Sequence, residues 1–377
     1  MIKHAHGTHV LVTGGAGFIG SHLTDRLLAD GYTVRILDNL TPQVHGERQH
    51  RPDYLAGEAE LMIGDVRDRD AVRAALDGVD AVVHLAAAVG VGQSMYEVAD
   101  YTSTNSLGTA VLMEALIERP VTRLVVASSM SIYGEGRYRT REGRVHDGVE
   151  RTAEQLRHGA WEPVDDRGTP LQPVPTPEIK GPSLASNYAL TKYDQERMCL
   201  ITGRAYGIST LALRLFNVYG PRQALSNPYT GVLAIFLSRL KNGKPPLIYE
   251  DGRQQRDFVS VHDVARAFHL AVAQPDVADA ALNIGSGHRY RILDIAAAVA
   301  AAVGCEGLSP EITGQYRAGD IRHCFADTSA ARERLGFQAE VSLRDGLEEL
   351  AMWLDTQDAR DQVDFARREL ETRGLTA

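Results

Sequence analysis

Apolar positions follow two alternating rhythms over residues 1–130. Short runs rich in β-branched residues at 9–13, 33–38, 59–64, 80–85 and 122–128 read as strands, and between them apolar residues recur at helical spacing, as in Val111, Leu112, Ala115 and Leu116. Strands alternating with helices predict an α/β fold, a doubly wound parallel sheet covered on both faces. Farther on, a helix is expected from Ser186-Asn187-Tyr188 to about Thr202, then a strand over Ser209–Phe216. Helices follow at 230–242 and from His262, and a short strand covers Ala281–Ile284. The remainder reads as helical segments around Arg317–Arg322, ending in an exposed charged helix or frayed tail. Between Glu135 and Lys180 the rhythm breaks into charged, Gly- and Pro-containing sequence, predicting an inserted surface loop or lid.

The first strand runs into Gly14-Gly15-Ala16-Gly17-Phe18-Ile19-Gly20, with an amphipathic segment from Ser21 to Asp30. Gly14, Gly17 and Gly20 suit a tight turn, a close approach to a pyrophosphate and close helix–strand packing. The helix start would aim free N–H groups at the phosphates. Asp38, ending the second run, can accept hydrogen bonds from an adenosine ribose and repel a 2′-phosphate, favouring NAD over NADP; the alternative is a turn cap. Asp65 follows the third strand within reach of an adenine edge, or as N-cap of the segment Asp68–Leu76. His84 reads as structural, and the small residues Ala86, Ala87 and Ala88 after it let a cofactor lie close. The fifth strand delivers Ser128-Ser129 to the ligand crevice at its carboxyl end, and Tyr188 and Lys192 share one face of the later helix.

Bulk properties narrow the partners. A chain of 377 residues has room for a nucleotide domain and a second lobe. With 40 basic and 49 acidic residues the net charge is −9, and no basic run marks a nucleic-acid partner. Met1–His6 has no long apolar run behind it, so neither export nor membrane spanning is expected and the reading is cytoplasmic. Cys199, Cys305 and Cys324 are widely spaced, as reduced thiols are. His146, His158, Asp147, Asp165 and Asp166 in the insertion lack thiols or tight ligand spacing, so no metal site is expected.

Taken in order, the glycine loop, Ser129 before Tyr133-Gly134, Tyr188 with Lys192, and Arg256-Asp257-Phe258-Val259 resemble the extended short-chain dehydrogenase/reductase family, specifically its NAD-dependent nucleotide-sugar epimerases and dehydratases. The resemblance spans nearly the whole chain. It implies a Rossmann domain over 1–216 carrying the insertion 135–180, and a nucleotide-sugar lobe mainly over 217–377, with 257–286 returning to the first domain. It implies NAD contacts from Gly14, Gly17, Phe18, Ile19 and Gly20 in the loop, and from Asp38, Asn39, Asp65 and Val66 at the adenosine end. Leu85, Ala86, Ala87, Asn105, Tyr188 and Lys192 complete that set. Ser129, Tyr188 and Lys192 would be catalytic. Ser129, Ser131, Asn217, Arg256, Arg317 and Asp320 would hold the substrate, the arginines serving the diphosphate or else an ion pair between lobes.

A free tyrosine, with pKa about 10, is a poor base near neutrality, and Lys192 together with a positive nicotinamide would favour the phenolate. Family dehydratases and decarboxylases carry an acidic residue just after the catalytic hydroxyl; Met130 and Ser131 stand there, which disfavours elimination and leaves reversible hydride transfer at C4. The stretch Ser128–Gly136, Trp161-Glu162-Pro163 and Pro173–Thr176 are similar to dTDP-L-rhamnose 4-epimerase-like sugar 4-epimerases. Those relatives often carry paired cysteines in the insertion, where Val164–Gly168 has none, which leaves the sugar open. Cys324 is either small lining for a sugar pocket or a structural thiol. The expectation is an NAD-dependent 4-epimerase of a dTDP- or UDP-hexose. It would be a homodimer through helices Leu107–Ile117 and Leu190–Ile201. A nucleotide-4-ketosugar reductase and a catalytically silent NAD-binding regulator are the rivals; the Ser129–Tyr188–Lys192 set counts against the second.

Overall fold

The computed structural model describes residues 7–47, 50–229 and 231–377; Met1–His6, read above for targeting, lies outside the described residues. Seven parallel strands form one sheet: β1 (His9–Thr13), β2 (Thr33–Asp38), β3 (Glu60–Ile63), β4 (Ala81–His84), β5 (Arg123–Ser129), β6 (Ser209–Leu215) and β7 (Ala280–Ile284). Their spatial order is β7-β6-β5-β4-β1-β2-β3, so the order reverses between β1 and β4 and opens a crevice at their carboxyl ends.

Alternation along each strand divides the core. Val10, Val12, Val34, Ile36, Val83, Val125 and Leu213 face helices Phe18–Ala29 and Val261–Ala273 through Leu23, Leu27, Val264 and Phe268. Leu11, Val82, Leu124, Val126 and Ala212 face the opposite way, onto Val111, Leu112 and Leu116 of helix Gly108–Glu118 and Cys199 and Leu200 of helix Asn187–Tyr206. This is the doubly wound Rossmann sheet. A second core forms where helices Val232–Lys241, Ile292–Ala302 and Leu343–Asp355 pack Phe236, Leu237, Ile295, Val299, Leu347 and Leu350 together.

Several expectations are corrected. The first helix starts at Phe18 rather than Ser21, with Gly17 as an N-cap that offers no side-chain oxygen. Asp65 does not cap the next helix; Asp68 does, accepting from the N–H groups of Asp70 and Ala71. The insertion is no mere loop: Arg137–Arg139 pairs antiparallel with Val145–His146 and with Gln172–Val174, and Thr152 caps a short helix Ala153–Arg157. Around Arg317 the chain is not helical: the Asp320 N–H closes a turn on the Arg317 carbonyl, flanked by short strands Glu311–Ile312 and His323–Cys324. The tail is not frayed, because helix Val363–Thr372 buries Ala366 and Leu370 and the backbones of Tyr316 and Ala377 exchange hydrogen bonds. Among the described residues no helix is long and apolar enough to cross a membrane.

Candidate active site

At the crevice the glycine loop is tight. Gly14 has φ +70°, and a Cβ there would lie 2.8 Å from the Ala86 nitrogen; a Cβ on Gly20 would lie 2.4 Å from the Gly14 carbonyl oxygen. With no side-chain cap and no acid in the first turn, the helix starts at Phe18 and Ile19 with its backbone donors free for an anion. Asp38 is buried and accepts from Ala16 N–H at 3.0 Å and Leu40 N–H at 2.9 Å, so it caps a turn and also sets the loop. Each carboxylate oxygen keeps a lone pair for a ribose hydroxyl. A bare helix start, a cradle that a Cβ would fill and a carboxylate at the end of β2 fit a dinucleotide.

Beside it, Asp65 accepts from Asn39 at 3.1 Å and is gripped by Arg67, whose hydrogen bonds outweigh burial and hold the carboxyl down to about 2. The Val66 side chain is buried, 2.7 Å from where a Cβ on Gly108 would stand. Asn105 lies in a π-turn, Thr102–Leu107, and clamps Ala88 from both sides, accepting from its N–H at 2.7 Å and donating to its carbonyl at 3.1 Å. Thr13 holds Leu85 and Ala86 at the end of β4, and Ala87 is partly exposed beyond them. His84 is structural, lying between Thr13 and Thr109 at 2.7 and 2.9 Å, with burial pulling its pKa to about 3.

Ser186 caps helix Asn187–Tyr206 by accepting from Ala189 N–H, and Gly207 ends it in the left-handed conformation. Tyr188 is thus on the first turn, its N–H donating to the buried Ser94 hydroxyl at 3.0 Å. Burial raises the pKa of the Tyr188 phenol, and the nearby Ser129 side chain draws it back. Ser129 and Ser131 hydroxyls stand 3.2 Å apart. Lys192, one turn on, is buried, which pulls its ammonium down to about 8. Tyr188 and Lys192 are therefore no ordinary surface pair. Ser129 ends β5, and Tyr188 and Lys192 lie one turn apart on the helix that packs against it.

The expected substrate residues lie on the segments that follow. Asn217 starts a short strand paired in parallel with Phe258–Ser260. Arg256 lies in register with Cys324 and donates to the carbonyls of Ile321 and Arg322. Ile321 packs on the Met130–Tyr133 turn that follows Ser129. Arg317 pairs with Asp320 at 2.9 Å and lies over the Tyr249 ring, so the ion pair is within its own loop rather than between lobes. Gly319 in that loop would bring a Cβ within 2.7 Å of the Ala185 carbonyl, just before the cap of the Tyr188 helix. Cys324 is a buried thiol against Thr176, pushed up to about 12 by burial. In the insertion, Asp147 holds Arg137, Asp165 accepts from Arg167 and Thr169, and His158 bonds Glu154. Among the described residues no group of three or more His, Cys, Asp or Glu is placed to hold a metal. A cavity of about 1560 Å³ opens elsewhere, against Pro42, Tyr54, Pro221, Tyr229, Glu349 and Phe365, and Ser129, Tyr188 and Lys192 do not line it.

Sequence reasoning missed three residues here: Ser94, which anchors the Tyr188 backbone; Gln195, which accepts from Lys192; and Arg322, buried between Glu162 of the insertion and the carboxylates of Glu250 and Asp251. Only Gln195 left a readable signal, its place one turn after Lys192 on the same face.

A Rossmann sheet with a free-ended glycine loop, a serine at the end of β5 and a Tyr–Lys pair one turn apart on the following helix defines the architecture of the short-chain dehydrogenase/reductase type. The chain belongs to the NAD dependent epimerase/dehydratase family, whose model matches residues 10–154 and 168–285, the gap falling inside the insertion. It is 37% identical to dTDP-L-rhamnose 4-epimerase of Burkholderia thailandensis over 356 residues, covering 92% of this chain and 95% of that one. Among solved structures, UDP-glucose 4-epimerase of Thermotoga maritima with UDP-glucose superposes with a TM-score of 0.75 at 30% identity, covering 93% of this chain and 99% of that one. The Thermus thermophilus UDP-glucose 4-epimerase complex with NAD does so with a TM-score of 0.71 at 29% identity, covering 93% and 100%.

Proposed function

We propose that the chain is an NAD-dependent 4-epimerase of a nucleotide sugar, a dTDP- or UDP-hexose. The observation that carries this reading is Tyr188, its phenol within the influence of the Ser129 side chain, with a buried Lys192 one turn away on the same helix. When bound, NAD supplies a reversible acceptor for the hydride of C4. Tyr188 takes the C4 hydroxyl proton as its phenolate, and the ammonium of Lys192 favours that form. Ser129 donates a hydrogen bond to the same oxygen as it becomes a carbonyl. Turning the 4-ketosugar and returning the hydride to its other face, with Tyr188 giving back the proton, inverts C4. Met130 and Ser131 supply no acid for elimination.

The cofactor would be held by Gly14, Gly17, Phe18, Ile19 and Gly20 at the pyrophosphate and by Asp38, Asn39, Asp65 and Val66 at the adenosine. Leu85, Ala86, Ala87 and Asn105 would complete the set that holds it. Ser131, Asn217, Arg256, Arg317 and Asp320 would hold the sugar diphosphate, Arg317 and Asp320 exchanging their mutual pair for ligand contacts. This divides the chain into a cofactor domain, 1–216, and a substrate lobe mainly in 217–377, with 257–286 returning to the first. A homodimer through the Thr102–Glu118 and Asn187–Tyr206 helices is supported by exposed Leu107, Leu190 and Ile201. A cytoplasmic setting is supported by three free thiols.

The test is incubation of the purified protein, without added cofactor, with UDP-, dTDP- and GDP-sugars, read by NMR. An isomer of unchanged mass from a dTDP- or UDP-hexose is the expected product. Turnover only of a 4-ketosugar with stoichiometric NADH or NADPH would overturn the assignment.

A further inference from the structure

Lys192 and Gln195 are a buried pair with one defined orientation. The Lys192 ammonium donates to Gln195 Oε1 at 2.7 Å, and the two residues are 4% and 1% exposed. The amide nitrogen of Gln195 points the other way. It donates to the Thr109 hydroxyl at 2.8 Å and lies 3.4 Å from the Ala86 carbonyl oxygen. Thr109 in turn donates to the Asn105 carbonyl at 2.6 Å, so that anchor is itself fixed. Flipping the amide would set two donors against each other at the ammonium and leave the Thr109 side without its donor. Ala86 is the residue on which Gly14 closes, so Gln195 ties Lys192 to the strand end that faces the glycine loop.

The electrostatic surroundings make the neutral amide significant. Glu196 and Cys199 from its own helix and His84 from β4 act on Lys192, with Tyr188 one turn before it. Glu196 is committed elsewhere, accepting from Arg214 at 2.7 and 2.9 Å and from the Ser128 hydroxyl at 2.7 Å. Burial keeps the Cys199 thiol protonated, pushed up to about 12, and keeps His84 neutral. The acceptor that Lys192 actually uses thus carries no charge. An amide oxygen favours the ammonium over the free amine while leaving its positive field intact, which a carboxylate at that distance would largely cancel.

We propose that Gln195 is a positioning residue that holds Lys192 protonated, one turn along the helix from Tyr188, without neutralising it. The inference rests on Tyr188 and Lys192 being the proton-transfer pair, and it assigns Gln195 a role in setting the pH range over which that pair works.

Two near-isosteric variants act in opposite directions. Q195E keeps the hydrogen bond and adds a charge, so the Lys192 titration moves up and the acid limb of the turnover profile follows as the phenolate loses support. Q195M removes the acceptor, so the ammonium is disfavoured and the alkaline limb, set by loss of the Lys192 charge, moves down. Shifts of about one pH unit in each direction are expected from a contact of this kind. The Lys192 Nζ titration, followed by NMR with labelled lysine and assigned by a K192M control, needs neither substrate nor turnover. The epimerase reading can therefore fail without taking this proposal with it. Should Q195E not fold, Q195M alone decides: a lowered Lys192 titration supports the role, and an unmoved one refutes it. Lower melting temperatures with titration and pH limbs unchanged in both variants would reduce Gln195 to packing and overturn the proposal.

Discussion

Arg322 and Glu162 join two parts of the chain that the sequence keeps far apart. The Arg322 side chain, 0% exposed, donates to Glu162 at 2.5 and 3.1 Å and on its other edge to Glu250 and Asp251. Its backbone N–H donates to Glu135, which also accepts from Arg151 and from the Tyr138 hydroxyl. The inserted sheet is therefore fastened onto the loop that carries Arg317 and Asp320.

Removing the centre of that cluster should be costly. Arg322→Met fills similar space but leaves Glu250, 1% exposed, with one guanidinium fewer in a setting where burial already raises its pKa. Losing one partner of a buried pair typically costs about 3–5 kcal/mol, and a similar loss is expected here in urea unfolding at neutral pH. Because the loop with Arg317 would loosen, KM for the nucleotide sugar should rise more than kcat falls. An unchanged unfolding midpoint would show that the cluster is not a fastening.

That fastening also explains what the sequence hid. The parallel sheet was legible because every strand of it reads locally, as a β-branched run such as Leu124-Val125-Val126 between helical stretches. The strands of the insertion are two or three residues long and owe their place to charges far along the chain, Glu250 lying 99 residues from Arg151 and Arg322 lying 160 residues from Glu162, which no local pattern reports. The proposed catalytic set was legible because Tyr188 and Lys192 share a helix face and Ser129 ends a strand. Gln195 was overlooked because a glutamine on a mixed helix reads as solvated until its burial is known. The start of the first helix was misplaced because Gly17 gives no capping side chain to mark it.

Tyr188→Phe keeps the ring and its edge-on contact with Tyr101, 6.5 Å between centroids, while removing the acid–base group. A positioned general base contributes roughly a hundred- to ten-thousandfold, so kcat should fall by about that factor. NAD content, measured by absorbance after denaturing the purified protein, should be unchanged. Wild-type turnover in this variant would remove Tyr188 as the base.

Asp38→Ala removes both the acceptor for the Ala16 and Leu40 N–H groups and the negative charge at the end of β2. The lost hydrogen bonds should weaken NAD and NADP alike, each bond by about 1 kcal/mol or more. The lost repulsion helps NADP only. The ratio of the two dissociation constants isolates the second effect, and it should move toward NADP by about tenfold. A constant ratio would leave Asp38 with the loop-setting role alone.

Acid should loosen the insertion before the sheet. Burial tends to raise the Glu162 pKa, but hydrogen bonds from His323 and Arg322 outweigh it and hold the group at about 2, against 4.5 for an ordinary glutamate. The folded value lies below the unfolded one, so the stabilisation is fully present above about pH 4.5 and is lost as pH falls toward 2. Glu162→Gln should be less stable than the parent at pH 6 and should lose less on acidification, so the two unfolding curves converge near pH 2. Parallel pH dependences would show that Glu162 titrates alike in the folded and unfolded chain.

Ile201→Glu tests the assembly. Leu107, Leu190 and Ile201 are 53%, 50% and 59% exposed, while their neighbours Leu200 and Cys199 are buried in the core beneath. Apolar side chains turned outward on two adjacent helices lose nothing by being covered, and a twofold contact would cover all of them at once. In such a contact each substitution appears twice, so one glutamate per chain buries two carboxylates at a dry seam. Light scattering should give twice the chain mass for the parent at micromolar concentration and the chain mass for the variant, with the circular dichroism spectrum unchanged because position 201 faces away from the sheet. A parent that is already monomeric would leave these helix faces without the partner argued for them, and a variant that remains dimeric would place the seam on another surface.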